Sequence, residues 1–183
     1  MSKPFILFLS IIGFSLSARA NNATQEDSVL ENATINEHKI EELSSLILTE
    51  ISDAKKDSIS DELKTLLSKE LTKKQAFSFA FNSVKSLTIL TPKDSAFRLF
   101  SWNVPYSDGS YGFECFLLKA DGSAIYLQPT DSIESQVANN SQWLPALYYD
   151  IIEKRTKFGK YYTLLAWKGN DRLTTKKLID VIW

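Results

Sequence analysis

The chain has 183 residues, 44% of them hydrophobic, with 21 basic against 22 acidic side chains, one His and one Cys. That length supports one globular domain with a core that needs no disulfide or metal. Near-neutral charge argues against a nucleic-acid binder, one Cys forms no internal bridge, and one His with one Cys builds no common zinc site.

The first segment is a sorting signal by pattern. Lys3 supplies a positive start, Phe5 to Leu16 is almost wholly apolar, and Ala18-Arg19-Ala20 is a small-x-small cleavage site. The apolar run is shorter than the roughly 20 residues a spanning helix needs. Residues 1–20 are therefore expected to be a signal peptide, with an exported product that begins near Asn21 and has no membrane span. Removing Lys3 and Arg19 leaves 19 basic and 22 acidic groups, a net charge of about −3. Cys115 lies in the apolar run Phe113–Leu118 with no His after His38 to activate it, so it is expected to be a buried small hydrophobe.

Residues 21–76 hold 12 acidic and 7 basic side chains and no Gly or Pro, whereas 77–183 hold 10 acidic, 12 basic and nearly all the aromatics. This contrast predicts an α+β fold: N-terminal amphipathic helices, then an antiparallel β-meander or small sandwich over 77–183. Asn21 to Asn32 reads as a polar lead-in. Ile40, Leu43, Ile47, Ile51 and Ala54 recur at helical spacing, predicting a helix over about 36–55. Ser58-Ile59-Ser60-Asp61 reads as the start of a second helix with the stripe Leu63, Leu66, Leu67 and Leu71.

Strands are expected at Leu87–Leu90, Ala96–Asn103, Tyr111–Lys119, Ser123–Gln128, Lys160–Lys168 and Thr175–Trp183, with Asp121-Gly122 as the strongest hairpin turn. Leu144–Thr156 fits strand or helix, and a hairpin through Lys157-Phe158-Gly159 favours strand. Pro129–Gln142 reads as irregular. Several strands are apolar on both faces, which calls for cover on both sides, by the helices on one and by a second sheet layer or a partner on the other. The apolar ending Lys177–Trp183 carries the expectation of a truncated reading frame.

Phe97-Arg98-Leu99-Phe100-Ser101-Trp102, Asp108-Gly109-Ser110 and Tyr161-Tyr162-Thr163-Leu164-Leu165-Ala166-Trp167-Lys168-Gly169-Asn170-Asp171, followed by Thr175-Lys176-Lys177, resemble motifs of a family of exported, functionally uncharacterised bacterial proteins. The resemblance covers about 77–183 and implies export and a β-rich domain. Ala166 and Lys168 depart from a Gly and an Asp common in that family. It brings no activity.

Catalytic patterns are scarce. His38 lies in the helical part with no nucleophile signature elsewhere, and the 6 glycines form no phosphate-cradling loop. Carboxylate pairs such as Asp108 with Glu114, or Asp150 with Glu153, keep an envelope-directed hydrolase open as the alternative. The leading expectation is an exported, non-catalytic protein of the periplasm or extracellular space, without cofactor, metal or nucleic acid. It would offer an aromatic-rich surface to an unidentified protein or an envelope polysaccharide. Trp102, Tyr106, Tyr111, Trp167 and Arg172 are the candidate binding residues. Lys154 to Lys177 adds eight basic residues against Asp171, a possible anion-facing side or a solvated one. Three Asn-x-Ser/Thr sites, at Asn22, Asn32 and Asn139, matter only in a eukaryotic secretory route.

Overall fold

A computed structural model describes residues 34–130 and 142–182 of the protein. The expected signal peptide, its cleavage point and the three Asn-x-Ser/Thr asparagines lie outside them. All the described residues except Thr34 fall in one unit, 35–183.

Helix α1 is Glu37–Thr49, opened by Asn36, whose side chain accepts from the Lys39 N–H at 3.2 Å. Helix α2 is Asp53–Glu70. The expected break near 55–58 therefore falls earlier, at Glu50–Ser52. The Glu50 carboxylate accepts the Ile51 and Ser52 N–H groups at 2.8 and 2.9 Å, folding the chain over there. Ser58–Asp61 is consequently inside α2, and the α1 stripe ends at Ile47, with Ile51 in solvent. Buried Glu70 joins the start of α1 to the end of α2: its Oε2 accepts the Asn36 N–H at 2.9 Å and pairs with Lys73 at 2.8 Å.

The strands are β1 Thr88–Leu90, β2 Phe97–Pro105, β3 Tyr111–Lys119, β4 Ala124–Tyr126, β5 Gln128–Pro129, β6 Gln142–Trp143, β7 Leu147–Thr156, β8 Gly159–Gly169 and β9 Thr175–Ile182. The 144–156 segment is thus a strand for most of its length. One antiparallel sheet runs β1-β2-β3-β4 and another β7-β8-β9, while β5 and β6 form a short parallel pair. Gly122 turns the β3–β4 connection at φ 86°, as the Asp-Gly pair requires.

Strand alternation explains the layering. Phe100, Trp102 and Val104 of β2, with Phe116 and Leu118 of β3, project from one face onto Ile40, Leu43 and Ile47 of α1 and Leu63 and Leu67 of α2. Phe97 and Leu99 of β2, with Phe113 and Cys115 of β3, project from the other onto Tyr148, Tyr162, Leu164 and Ala166 of the second sheet. The order is helices, sheet, sheet: an α+β fold in which the first sheet is covered on both faces.

Buried Arg98 ties the helix-to-strand connection to this centre. Its Nη1 donates to the Phe77 and Phe79 carbonyls at 3.1 and 2.6 Å, and its guanidinium lies 5.0 Å from the Phe81 ring centre. Burial lowers its pKa from the ordinary value. The Phe-Arg-Leu motif thereby acquires a physical role: two side chains for one core and a cation that organises carbonyls on the other side.

Candidate interaction surface

The two motif segments meet at one end of the sheets. In the β2–β3 loop Asp108 Oδ1 accepts the Ser110 N–H and hydroxyl at 2.8 and 2.7 Å, and Gly109 takes φ 90°. In the β8–β9 turn Asp171 Oδ1 accepts the Leu173 and Thr174 N–H groups, both at 2.8 Å. These bonds hold the Asp108 and Asp171 carboxyls below their ordinary pKa. Arg172 joins the loops: Nη2 donates to the Ser107 carbonyl at 2.6 Å and Nε to the Asp108 carbonyl at 3.2 Å. A Cβ on Gly109 would fall 2.1 Å from Arg172 Cγ, so glycine is needed here for conformation and for space.

Tyr111 and Trp167 pack edge to face beside this clamp, ring centres 4.9 Å apart, over buried Gly169. Tyr106 faces the helices, its hydroxyl donating to Asp57 at 2.6 Å, while Asp53 accepts the Ser107 N–H and hydroxyl. Tyr111, Trp167 and Arg172 are therefore brought together, with Tyr106 at the start of the same hairpin loop. Trp102 is elsewhere. It is buried in the helix-side core, stacked on Phe116, with its indole N–H donating to Ser60 at 2.9 Å. The expectation of a stacking surface falls, for Trp102, on a core residue. Half-buried Tyr111 and Trp167 spend ring faces on each other and on Phe113, so this end is a clamp between loops more than a platform.

The carboxylates named for catalysis are also committed to internal partners. Glu114 pairs through Oε1 with Lys64 at 2.9 Å and accepts the Tyr126 hydroxyl through Oε2. Burial, then the Glu114 hydrogen bond, pushes the Tyr126 hydroxyl up to about 12. Glu114 lines a cleft of about 280 Å³ with Asp57, Ser60, Asp61 and Tyr106, but Asp108 does not. Asp150 and Glu153 oppose Leu165 and Tyr162, on opposite faces of the sheet, so they do not converge. Cys115 is buried between the sheets, and burial raises its thiol pKa, which disfavours the thiolate. His38 is on the exposed side of α1. Among the described residues no group of three or more His, Cys, Asp or Glu is placed to hold a metal ion, and no helix is long and apolar enough to cross a membrane.

What residue patterns missed is the outer face of β7-β8-β9. Register places Ile152, Thr163 and Val181 in one row and Asp150, Leu165 and Ile179 in the next. Ile179 is 74% exposed, Ile152 49% and Val181 41%, and Tyr149, at the β7 irregularity, is 47% exposed. Lys177 lies 4.8 Å from the Tyr149 ring centre, and Lys154 opposes Tyr161 at the other end of the strip. The result is a strip of four aliphatic side chains interrupted by half-buried Thr163 and exposed Asp150, with a lysine at each end and no covering layer among the described residues. The only signal in the sequence was alternation in β7 and β9 that puts apolar side chains on both faces. Comparison of the chain with protein-family models, curated proteins and solved structures finds no match.

Proposed function

We propose that the protein is an exported, non-catalytic interaction protein of the cell envelope, and that its contact surface is the outer face of β7-β8-β9. The row pair formed by exposed Ile152, Val181 and Ile179 around half-buried Leu165 carries this reading. Isolated apolar side chains on a surface are ordinary, but adjacent ones in register form a patch that water disfavours and a partner would bury. The patch is mainly aliphatic, with Tyr149 as its exposed ring, which suits a protein surface better than stacked sugars. Lys154 and Lys177 at its ends favour a partner whose apolar patch is edged by carboxylates. Export rests on the tripartite pattern of residues 1–20.

Support against the hydrolase alternative comes from the carboxylates. A general acid needs a raised pKa, whereas the Asp108 carboxyl is held low and both Glu114 oxygens are engaged. The test is retention of the purified chain on isolated bacterial envelope protein, compared with the double variant Ile152→Ser, Ile179→Ser. Retention should fall about tenfold or more with circular dichroism unchanged, a loss of about 1.4 kcal/mol or more. Equal retention, or turnover of envelope polymer abolished by Glu114→Gln, would reject the proposal.

A further inference from the structure

Among the described residues strand β9 borders its sheet. One side is bonded to β8, and no strand among the described residues pairs with the other. Such an edge offers N–H and C=O groups for pairing, and folded proteins usually blunt it with proline, a bulge, shortness or lysines. On β9 the Val181 N–H is bonded to Asp180 Oδ1 at 2.8 Å, a bond that Asp180 would exchange for a lysine on pairing. Over Thr175–Ile182 there is no proline, the pairing to β8 is regular, and six of the eight residues are exposed. The lysines are present, as Lys176 and Lys177, but Asp180 follows four residues after Lys176.

We propose that β9 pairs with β9 of a second copy of this chain, antiparallel and centred on Leu178, so that Lys176 of each copy faces Asp180 of the other. Charge complementarity selects this occupant and this register. A two-fold axis perpendicular to the sheet keeps inward residues opposite inward ones, so the centre must fall on a residue. Centring on Leu178 opposes Lys176 with Asp180 twice and Lys177 with Ile179 twice. Centring on Lys176 or Lys177 opposes a lysine with itself, and centring on Asp180 opposes two carboxylates. Centring on Ile179 leaves Asp180 opposite Leu178 with no charge pair. One register joins unlike charges, and its neighbours lose them or set like against like.

The product is a sheet twice as wide, with two aliphatic strips side by side on one face. Two strips would hold a repetitive envelope partner by avidity. The pairing is nevertheless separable from the proposed function, because a partner can cover the outer face with the β9 edge open.

Sedimentation velocity of the full chain over a concentration series tests it. The wild type should shift from monomer to dimer, and Lys176→Asp should weaken the dimer about tenfold or more, since two attractive pairs become repulsive. Lys176→Asp mixed with Asp180→Lys should restore a heterodimer, both pairs then being unlike again. Should Asp180→Lys lose the fold, because Asp180 accepts the Tyr148 hydroxyl at 2.8 Å, amide exchange of the wild type decides. Amides of β9 should slow as concentration rises, and those of β4, at the edge of the other sheet, should not. A wild type that stays monomeric, or a dimer indifferent to Lys176→Asp, overturns the pairing and leaves retention by the outer face unaffected.

Discussion

Strands β2 and β9 are both rich in apolar residues, yet they meet different surroundings. Every residue from Phe97 to Trp102 is buried, with helices against one face and a second sheet against the other, whereas in Thr175–Ile182 only Leu178 and Ile182, on the inner face, are part-buried and the rest are exposed. The first sheet is therefore the centre of the fold and the second a lid on it. A lid must bury only its inner side. Apolar residues retained on its outer side, such as Ile179, contribute little to folding and are free to serve contact.

Substitutions at the buried centre should have the largest effects. Phe100→Ala should cost about 3–5 kcal/mol, because its fully buried ring packs against Phe81 and the helices. Urea unfolding followed by tryptophan fluorescence would measure it. Arg98→Met should cost about 2–3 kcal/mol by leaving the Phe77 and Phe79 carbonyls without their charged donor. Proteolysis of the 71–87 connection should speed up in that variant, while the β8–β9 turn stays resistant.

Within the second core the expected effects shrink. Tyr148→Phe removes a hydroxyl that accepts the Trp143 indole N–H at 2.8 Å and donates to Asp180 at 2.8 Å. A loss of about 1–2 kcal/mol is expected, with the Trp143 emission shifted. Acid acts more gently on the turns. Asp53, Asp94, Asp108 and Asp171 all have carboxyl pKa values below the ordinary 3.8, through hydrogen bonds to Ser107, Lys160, Ser110 and Leu173 first. A carboxyl whose folded pKa is depressed binds its proton more readily when unfolded. Its contribution is therefore complete above the unfolded value and is lost as pH falls through and below 3.8. Glu41 and Glu50 are likewise held below their ordinary 4.5. Thermal melts should therefore hold near neutral pH, begin to decline as pH falls toward 4.5 and decline further through 3.8, and Asp94→Asn should flatten part of that decline. On the outer face, Ile179→Ser should change stability by no more than about 0.5 kcal/mol, the smallest effect of the series.

Much of this architecture was legible in residue patterns, and the failures have physical causes. Periodicity located both helices and the hairpin at Asp121-Gly122, because each helix has one apolar stripe and the turn has a residue suited to positive φ. The boundary between the helices moved because Glu50 caps the bend with its side chain, and no spacing rule marks a glutamate used that way. By residue type Tyr111, Trp167 and Arg172 read as surface chemistry, and the fold does unite them. Their rings and donors are spent on one another and on loop carbonyls, which follows from contacts distant in sequence. The Trp102 ring suggests a stacking surface, but position in a strand covered on both faces decides burial whatever the residue type. The strip around Ile179 was invisible because apolar alternation says which residues share a face, never which face is left uncovered.

On the proposed function, the outer face of β7-β8-β9 is open in the isolated protein and covered when the chain meets its envelope partner. Hydroxyl-radical footprinting of the chain, alone and bound to isolated envelope protein, addresses it directly. Tyr149, Ile152, Ile179 and Val181 should be labelled when the chain is alone and protected several-fold when it is bound, with α2 labelled equally in both. Protection confined to the helices, or labelling of the strip that does not change on binding, would contradict the account.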